Sequence, residues 1–174
     1  MAINWDGFTN SVKSYLKSRS APNYQAAAKF IALQYDVSVR SGGEMLANNF
    51  VIKPNTSVLQ TMIELSFMRG YTKQQGYYDS LELIAKGLTL YWMGATMAQV
   101  YPPPGTIAVL SNWVVSPGTA TSILTVPTMS FDNWTDMFVI MAKGQLLSMT
   151  GMMVALIPTS FGPMPIVLQW TGYR

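Results

Sequence analysis

Residues 102–115 read PPPGTIAVLSNWVV and mark the point at which the character of the chain changes. Three prolines and a glycine end any helix that approaches from the N-terminal side. The segment 106–115 is rich in β-branched and apolar residues, and the turn signal Ser116-Pro117-Gly118 follows it. This pattern is typical of a strand. A second short segment, 121–126, is predicted to pair with it as a hairpin.

Upstream of residue 102, apolar residues recur at three- and four-residue spacing, which predicts helices. Four are expected, at about 4–19, 22–41, 56–69 and 78–100. In the fourth, Gly87 and Gly94 lie seven residues apart on one side, which would allow another helix to pack closely. Downstream, Asp132 is predicted to cap a fifth helix that starts at Asn133. The segments 152–157 and 166–170 resemble strands.

These patterns predict an α+β fold in a single domain, residues 1–174. A helical N-terminal half of about four helices (1–101) is expected to pack with a smaller mixed β/α half that is rich in strands (102–174). The length is ordinary for one domain with its own core.

Composition excludes several kinds of chemistry, because the 174 residues include neither His nor Cys. Ser-His-Asp and Cys-His nucleophiles, zinc fingers, thiolate clusters and disulfides are therefore ruled out. Ser14 and Lys17 match S-x-x-K, and Asp132 and Asp136 could face a divalent cation together. A solvated helix face and a favourable helix start explain these residues more simply. We expect no enzyme activity, no cofactor and no metal site; a small carboxylate-dependent enzyme stays an alternative.

Charge is distributed very unevenly. Residues 1–86 hold 15 of the 19 charged side chains, and no charged residue lies between 87 and 131 or between 144 and 173. A surface so poor in charge favours association, and large permanent interfaces are depleted in charge and enriched in aromatic residues and Met. The C-terminal half is therefore predicted to be an assembly surface. The expected interface residues are Trp113, Trp134, Met152, Met153, Trp170, Tyr173 and Arg174.

The first helix carries a small basic stretch formed by Lys13, Lys17 and Arg19, next to Trp5 and Tyr15. Cations interleaved with aromatic rings can neutralise phosphates and stack bases. Weak contact with nucleic acid is therefore predicted as a secondary role, although a solvated helix face is the simpler interpretation.

A membrane role is the main alternative for such an apolar chain. The best candidate spans, 81–101 and 137–158, contain charged and polar residues, so a spanning helix is not expected. The N-terminal residues lack a signal-peptide pattern. A peripheral or lipid-associated protein stays open, with the apolar half on a bilayer and the basic first helix on anionic headgroups.

Several features follow one another in a distinctive order. A short amphipathic start precedes an alanine-rich helix, and a proline–glycine break and an aromatic end follow. The residues are Trp5, Phe8, Ala26-Ala27-Ala28, Ile31-Ala32, Tyr35-Asp36, Pro104-Gly105, Asn112, Pro117-Gly118 and Trp170-Thr171-Gly172-Tyr173. This order resembles small virion structural proteins of large tailed bacteriophages. The resemblance implies a non-catalytic component of the capsid, neck, tail or baseplate, made in the host cytoplasm and located in the virion.

Taken with the charge distribution, this resemblance predicts a repeated subunit. Its partners would be copies of itself and other virion proteins, with weak nucleic-acid contact at most and no small-molecule substrate.

Overall fold

The computed structural model describes nine segments of the chain. They are residues 3–18, 23–42, 50–52, 54–70, 74–93, 96–99, 107–111, 130–148 and 150–170. The helices in these segments are α1 (Trp5–Lys17), α2 (Tyr24–Gly42), α3 (Thr56–Gly70), α4 (Gln74–Trp92) and α5 (Phe131–Ser148). The strands are β1 (Phe50–Ile52), β2 (Thr96–Gln99), β3 (Ile107–Ser111), β4 (Thr150–Thr159) and β5 (Gly162–Trp170).

Short polar side chains start three of the helices. The Asn4 side chain accepts a hydrogen bond from the Gly7 backbone N–H at 2.8 Å, and Asn23 accepts from the first turn of α2. At α5 the Ser130 hydroxyl accepts from the Asn133 N–H at 3.1 Å. Such bonds satisfy N–H groups that have no partner within the helix. The prediction that Asp132 caps this helix is therefore wrong: Ser130 caps it, and Asp132 lies in its first turn.

Apolar stripes predicted from the spacing form the interior of the molecule. Trp5, Tyr24 and Met62 are half-buried at its rim. The predicted stripe residues that are fully buried are Phe8, Val12, Leu16, Ala27, Ala28, Ile31, Tyr35, Val39, Leu59, Ile63, Ser66, Phe67, Trp134, Phe138, Met141, Gln145 and Leu146.

The five helices form a closed ring of neighbours. Helix α1 packs against α2 and α5, α2 against α3, α3 against α4, and α4 against α5. Helix α5 therefore closes a bundle that the first four helices leave open, although 38 residues of sequence separate it from the end of α4.

Tyr35 lies at the centre of the bundle, where aromatic rings from several helices meet. Its ring centroid is 6.4 Å from Phe8 in α1, 5.1 Å from Tyr91 in α4 and 5.5 Å from Phe138 in α5. These three pairs are edge-to-face, the arrangement that the ring quadrupoles favour. In α3, Phe67 joins the cluster through Trp134, at 4.6 Å.

The closest helix pair, α3 with α4, depends on a glycine. A Cβ atom at Gly87 would lie 2.7 Å from Cβ of Met62 and 3.3 Å from Cδ1 of Leu59. The prediction that Gly87 permits close approach is confirmed. Gly94, the other predicted glycine, lies outside the described residues.

The strands form one antiparallel sheet in the order β1-β2-β3-β4-β5. Ile107 of β3 pairs with Ala98 of β2 on one side and with Val154 of β4 on the other. Both edges of β3 are thus occupied. The predicted partner strand, 121–126, lies outside the described residues. The strand predictions for 152–157 and 166–170 agree with β4 and β5, which form a long hairpin.

The predicted fourth helix is too long. It ends at Trp92, and residues 96–99 form β2 between two partner strands. Pairing with residues distant in sequence overrides the local helical spacing there.

The predicted fold class, α+β with a mixed β/α C-terminal half packed on a helical half, is wrong. The packed body is almost entirely helical. Helix α5 of the C-terminal half belongs to the same bundle as α1 to α4, and its buried side chains join theirs in one core. Among the described elements, no strand makes more than marginal contact with a helix. The physical reason is that α5 carries its own apolar stripe, whereas the strands satisfy their backbone groups with one another.

Two glycines within helices, Gly87 of α4 and Gly144 of α5, provide a matched test of the helix packing. We expect Gly87→Ala to lower the free energy of unfolding by about 1–3 kcal/mol, because the Met62 Cβ cannot rotate away. Gly144→Ala in α5 is the control, since nothing lies within 4 Å of its added Cβ. It should raise stability by up to about 1 kcal/mol through helix propensity. Urea unfolding measures both; equal shifts would contradict the close contact.

Burial of Tyr35 predicts a loss of stability at alkaline pH. Burial raises the pKa of its phenol well above the usual value, and the neighbouring Trp92 indole opposes this only in part. Below about pH 10 the phenol is neutral in both states, so its contribution is fully present. Above that pH the unfolded chain ionises first, and stability falls by at most about 1.4 kcal/mol per pH unit.

The Tyr35→Phe variant should therefore lose less stability than the wild type between pH 8 and pH 11, as measured by urea unfolding. Tyr78→Phe, at an exposed position, is the control. If the stability of Tyr35→Phe fell with pH as steeply as that of the wild type, the buried Tyr35 phenol would not be the cause of the alkaline loss of stability.

Candidate assembly surface

The β4–β5 hairpin is the longest strand pair of the sheet. Its register runs from Gly151 opposite Trp170 to Thr159 opposite Gly162, so Ser160 and Phe161 form a two-residue turn. Gly162 has φ of +106°, a left-handed conformation that favours glycine. The Thr159 hydroxyl donates to the Gly162 carbonyl and closes the turn.

Large apolar side chains lie exposed at the tip of this hairpin. Phe161 is 100% exposed and Met164 is 54% exposed. Exposing a whole phenylalanine ring costs free energy that burial in a partner would recover. The tip therefore has the chemistry of a contact site.

Prolines flank the tip at regular positions. The closing pair of a two-residue hairpin is hydrogen-bonded, and the pairs then alternate along the strands. Pro158 opposite Pro163, and Pro165 opposite Leu156, consequently occupy non-hydrogen-bonded pairs. An ordinary residue there would point its N–H outward from the hairpin, so these positions tolerate proline.

The sheet carries no charge. None of the five described strands contains Asp, Glu, Lys or Arg. Consecutive residues of β4 and β5 are apolar, such as Met152-Met153-Val154 and Ile166-Val167-Leu168. An antiparallel sheet that faces water on one side normally alternates apolar and polar residues. Both faces of this sheet therefore have the composition of covered surfaces.

The predicted interface residues fall into three groups. Met152, Met153 and Trp170 lie in the hairpin. Trp113, Tyr173 and Arg174 lie outside the described residues. Phe161 and Met164 were missed, because a single aromatic residue in a turn has no periodicity; the signal available was an apolar Ser160-Phe161-Gly162 turn between two strand-like segments.

Trp134 is not an interface residue, which corrects the prediction. It is fully buried in the bundle, and its indole Nε1–H donates to the Ser66 hydroxyl at 2.7 Å. The Ser66 and Ser80 hydroxyls are in turn 2.7 Å apart. A buried indole N–H normally needs such a partner, so these serines explain how Trp134 is accommodated in the core.

The basic stretch of α1 is paired with carboxylates of α5. Lys13 Nζ lies 2.6 Å from Asp136 Oδ1, and Lys17 Nζ lies 2.9 Å from Asp132 Oδ2. The two lysines predicted to contact nucleic acid therefore pair with the two aspartates that were considered as metal ligands. Lys17 contacts Asp132 and does not form a dyad with Ser14. Arg19 lies outside the described residues. The pairs join α1 to α5, and the carboxylates of Asp136 and Asp132 offset the charges of Lys13 and Lys17.

Within the described segments, no cluster of three or more His, Cys, Asp or Glu side chains is arranged to hold a metal ion. None of the described helices combines the length and the apolar character that a membrane crossing requires.

Comparison with known proteins yields no match among protein-family models, curated proteins or solved structures.

The ion pairs predict how nucleic-acid affinity responds to charge removal. The double variant Asp132→Asn/Asp136→Asn releases both lysines, so its affinity for a single-stranded oligonucleotide should rise severalfold at low salt and fall steeply with added salt. Each pair is exposed to solvent, so its loss should cost no more than about 1 kcal/mol of stability. Fluorescence anisotropy measures the binding.

The matched control for this prediction is Glu64→Gln/Glu82→Gln, which makes the same charge change on α3 and α4. An equal gain in both double variants would show that net charge, and not the α1 lysines, determines the affinity.

Proposed function

We propose that this protein is a non-enzymatic virion structural protein that assembles as a repeated subunit through its charge-poor C-terminal half. Its partners are copies of itself and other virion proteins. The observation that carries the proposal is the uncharged sheet, whose apolar tip is exposed and against which no described helix packs. Its placement in a virion rests on the sequence resemblance.

The helical bundle and the sheet have different requirements. The bundle buries its own apolar stripes in a core formed by five helices. The described strands are uncharged and mostly apolar, and domains normally cover such a layer with another layer. Contact with neighbouring subunits would supply that layer.

The energetics are sufficient for assembly without covalent links. Burial contributes roughly 25 cal/mol per Å² of apolar surface, and specific interfaces bury about 1,600 Å² in total. Without strand charges, such an interface gains from the exclusion of water and not from ion pairs. It should therefore persist in high salt, which screens charges.

Peripheral binding to lipid is the second candidate, since the exposed Phe161 and Met164 could enter a bilayer. Contact of the basic first helix with anionic headgroups, the other part of that mechanism, has less support. Interfacial binding usually combines apolar and basic groups, but Lys13 and Lys17 are engaged by carboxylates.

Mass in solution tests the assembly proposal. Light scattering after size exclusion should give masses that are multiples of 19.2 kDa. These masses should increase with protein concentration and persist in 1 M NaCl. Met164→Lys should raise the dissociation constant about tenfold or more, because a charge would have to be desolvated at the interface. Met93→Lys is the matched control, at a site 56% exposed beside the bundle.

Three results would count against assembly through the C-terminal half. They are a monomer at every concentration and salt, equal effects of the two Met→Lys substitutions, and flotation of the wild type with liposomes in place of oligomers.

A further inference from the structure

The distal end of the β4–β5 hairpin extends beyond strand β3. Strand β3 pairs with β4 from Thr150 to Val154 only, so no other described strand lies beside residues 155–166. We name residues 157–164 the distal segment, which consists of the two-residue turn and the three strand pairs next to it. Three pairs at about 3.3 Å each give it a length of about 10 Å. The side chains that the structure describes there, those of residues 159–164, are all exposed.

The backbone of the distal segment lacks the N–H donors that usually point outward from a hairpin. Hydrogen-bonded pairs alternate with non-hydrogen-bonded pairs along the strands, which leaves positions 158 and 163 facing outward. Both are proline, so neither has an N–H group. The strand pairs on either side of them bond across the hairpin. The strand N–H groups of this segment are thus either absent or paired.

The turn satisfies polar groups of its own in a similar way. The Thr159 hydroxyl accepts a hydrogen bond from the Phe161 N–H at 3.3 Å and donates one to the Gly162 carbonyl. In water these groups could bond to solvent, so the internal bonds gain little there. In an apolar medium an unpaired amide carries a large desolvation penalty. The backbone of the segment therefore suits surroundings that supply no hydrogen-bond acceptors.

The lack of donors favours lipid over protein as those surroundings. A protein partner can accept hydrogen bonds from backbone N–H groups, and protein interfaces normally contain such bonds. The hydrocarbon of a bilayer accepts none, so a segment that reaches it must pair its donors or lack them. The distal segment also contains no Asp, Glu, Lys or Arg, so its entry removes no ion from water.

We infer that the distal segment inserts into the interfacial region of a lipid bilayer, with Phe161 at the deepest point. Phe161 is 100% exposed and Met164 is 54% exposed, so both supply apolar surface that insertion removes from water. The length of the segment, about 10 Å, matches the depth to which interfacial segments bury apolar groups. Because the segment has no cation, insertion requires no anionic headgroup. This inference goes beyond the proposed function, which concerns contacts between subunits.

A fluorescent label tests insertion in the full-length chain, which has no natural cysteine. Ser160→Cys and Leu147→Cys each carry the same environment-sensitive dye; Leu147, on α5, is the control and is 71% exposed. With phosphatidylcholine vesicles in excess, the emission of the dye at position 160 should shift to the blue, and that at position 147 should not. The shift should be equal in 0.1 M and 1 M NaCl, because no charge takes part.

Two pairs of variants test the features on which the inference depends, with co-flotation as the measurement. Phe161→Asp should lower the partition into these vesicles about ten- to a hundredfold, as expected for loss of one buried aromatic side chain, and Leu147→Asp should float like the wild type. Pro163→Ala restores one outward N–H and should lower the partition severalfold. Pro165→Ala restores the same group about 7 Å farther from the turn, so it should have a smaller effect.

Three outcomes would overturn the inference. The first is binding that requires phosphatidylglycerol and is lost in 1 M NaCl, which would assign the contact to the basic first helix. The second is an equal loss of partition in Phe161→Asp and Leu147→Asp, or in the two Pro→Ala variants. The third is a blue shift at position 160 during self-association without lipid, which would show that another subunit covers the segment.

The mass in solution separates this inference from the proposed function. A protein that stays monomeric but inserts its distal segment into vesicles would support the inference and contradict the proposed function. Oligomers that do not bind vesicles would contradict the inference and leave the proposed function intact.

Discussion

The meeting of aromatic rings at Tyr35 is the contact on which the bundle depends. Rings from α1, α4 and α5 approach it edge-to-face, and Trp134 extends the cluster to Phe67 in α3. Each of these contacts joins residues far apart in sequence, so forming the cluster fixes the relative positions of all five helices. The ring of helices, the close α3–α4 approach at Gly87 and the ion pairs of α1 with α5 all require this arrangement.

The distribution of charge follows from the two kinds of structure. Helices α1 to α4 contain most of the charged side chains and present them on the outer side of a core that is complete in itself. The strands carry none, although antiparallel sheets commonly expose one polar face. Under the proposed function, stability and assembly would depend on different parts of the chain: the bundle would maintain the fold, and the sheet would provide the contacts.

Local periodicity made the helices predictable, because a stripe such as Phe8, Val12 and Leu16 is visible within four turns of sequence. Features that depend on distant residues were not predictable in this way. Tryptophan is common both in cores and in interfaces, so the sequence around Trp134 does not distinguish the two. Its burial depends on a distant residue, Ser66, whose hydroxyl accepts the indole N–H. Residues 96–99 have a helical spacing, but they form β2 because β1 and β3 pair with them. The cap of α5 is Ser130, which lies two residues before the predicted cap, Asp132. Strands β4 and β5 were predictable from their apolar segments, but neither their pairing nor the exposure of Phe161 was.

The prolines of the β4–β5 hairpin also bear on the aggregation of the free protein. An uncharged ribbon rich in β-branched residues is the kind of segment from which cross-β aggregates grow, by edge-to-edge addition of identical strands. At Pro158, Pro163 and Pro165 a growing edge would meet backbone without hydrogen-bond donors. Newly made chains can therefore reach a high local concentration with Phe161 exposed. The β4–β5 hairpin does not then become a template for fibres.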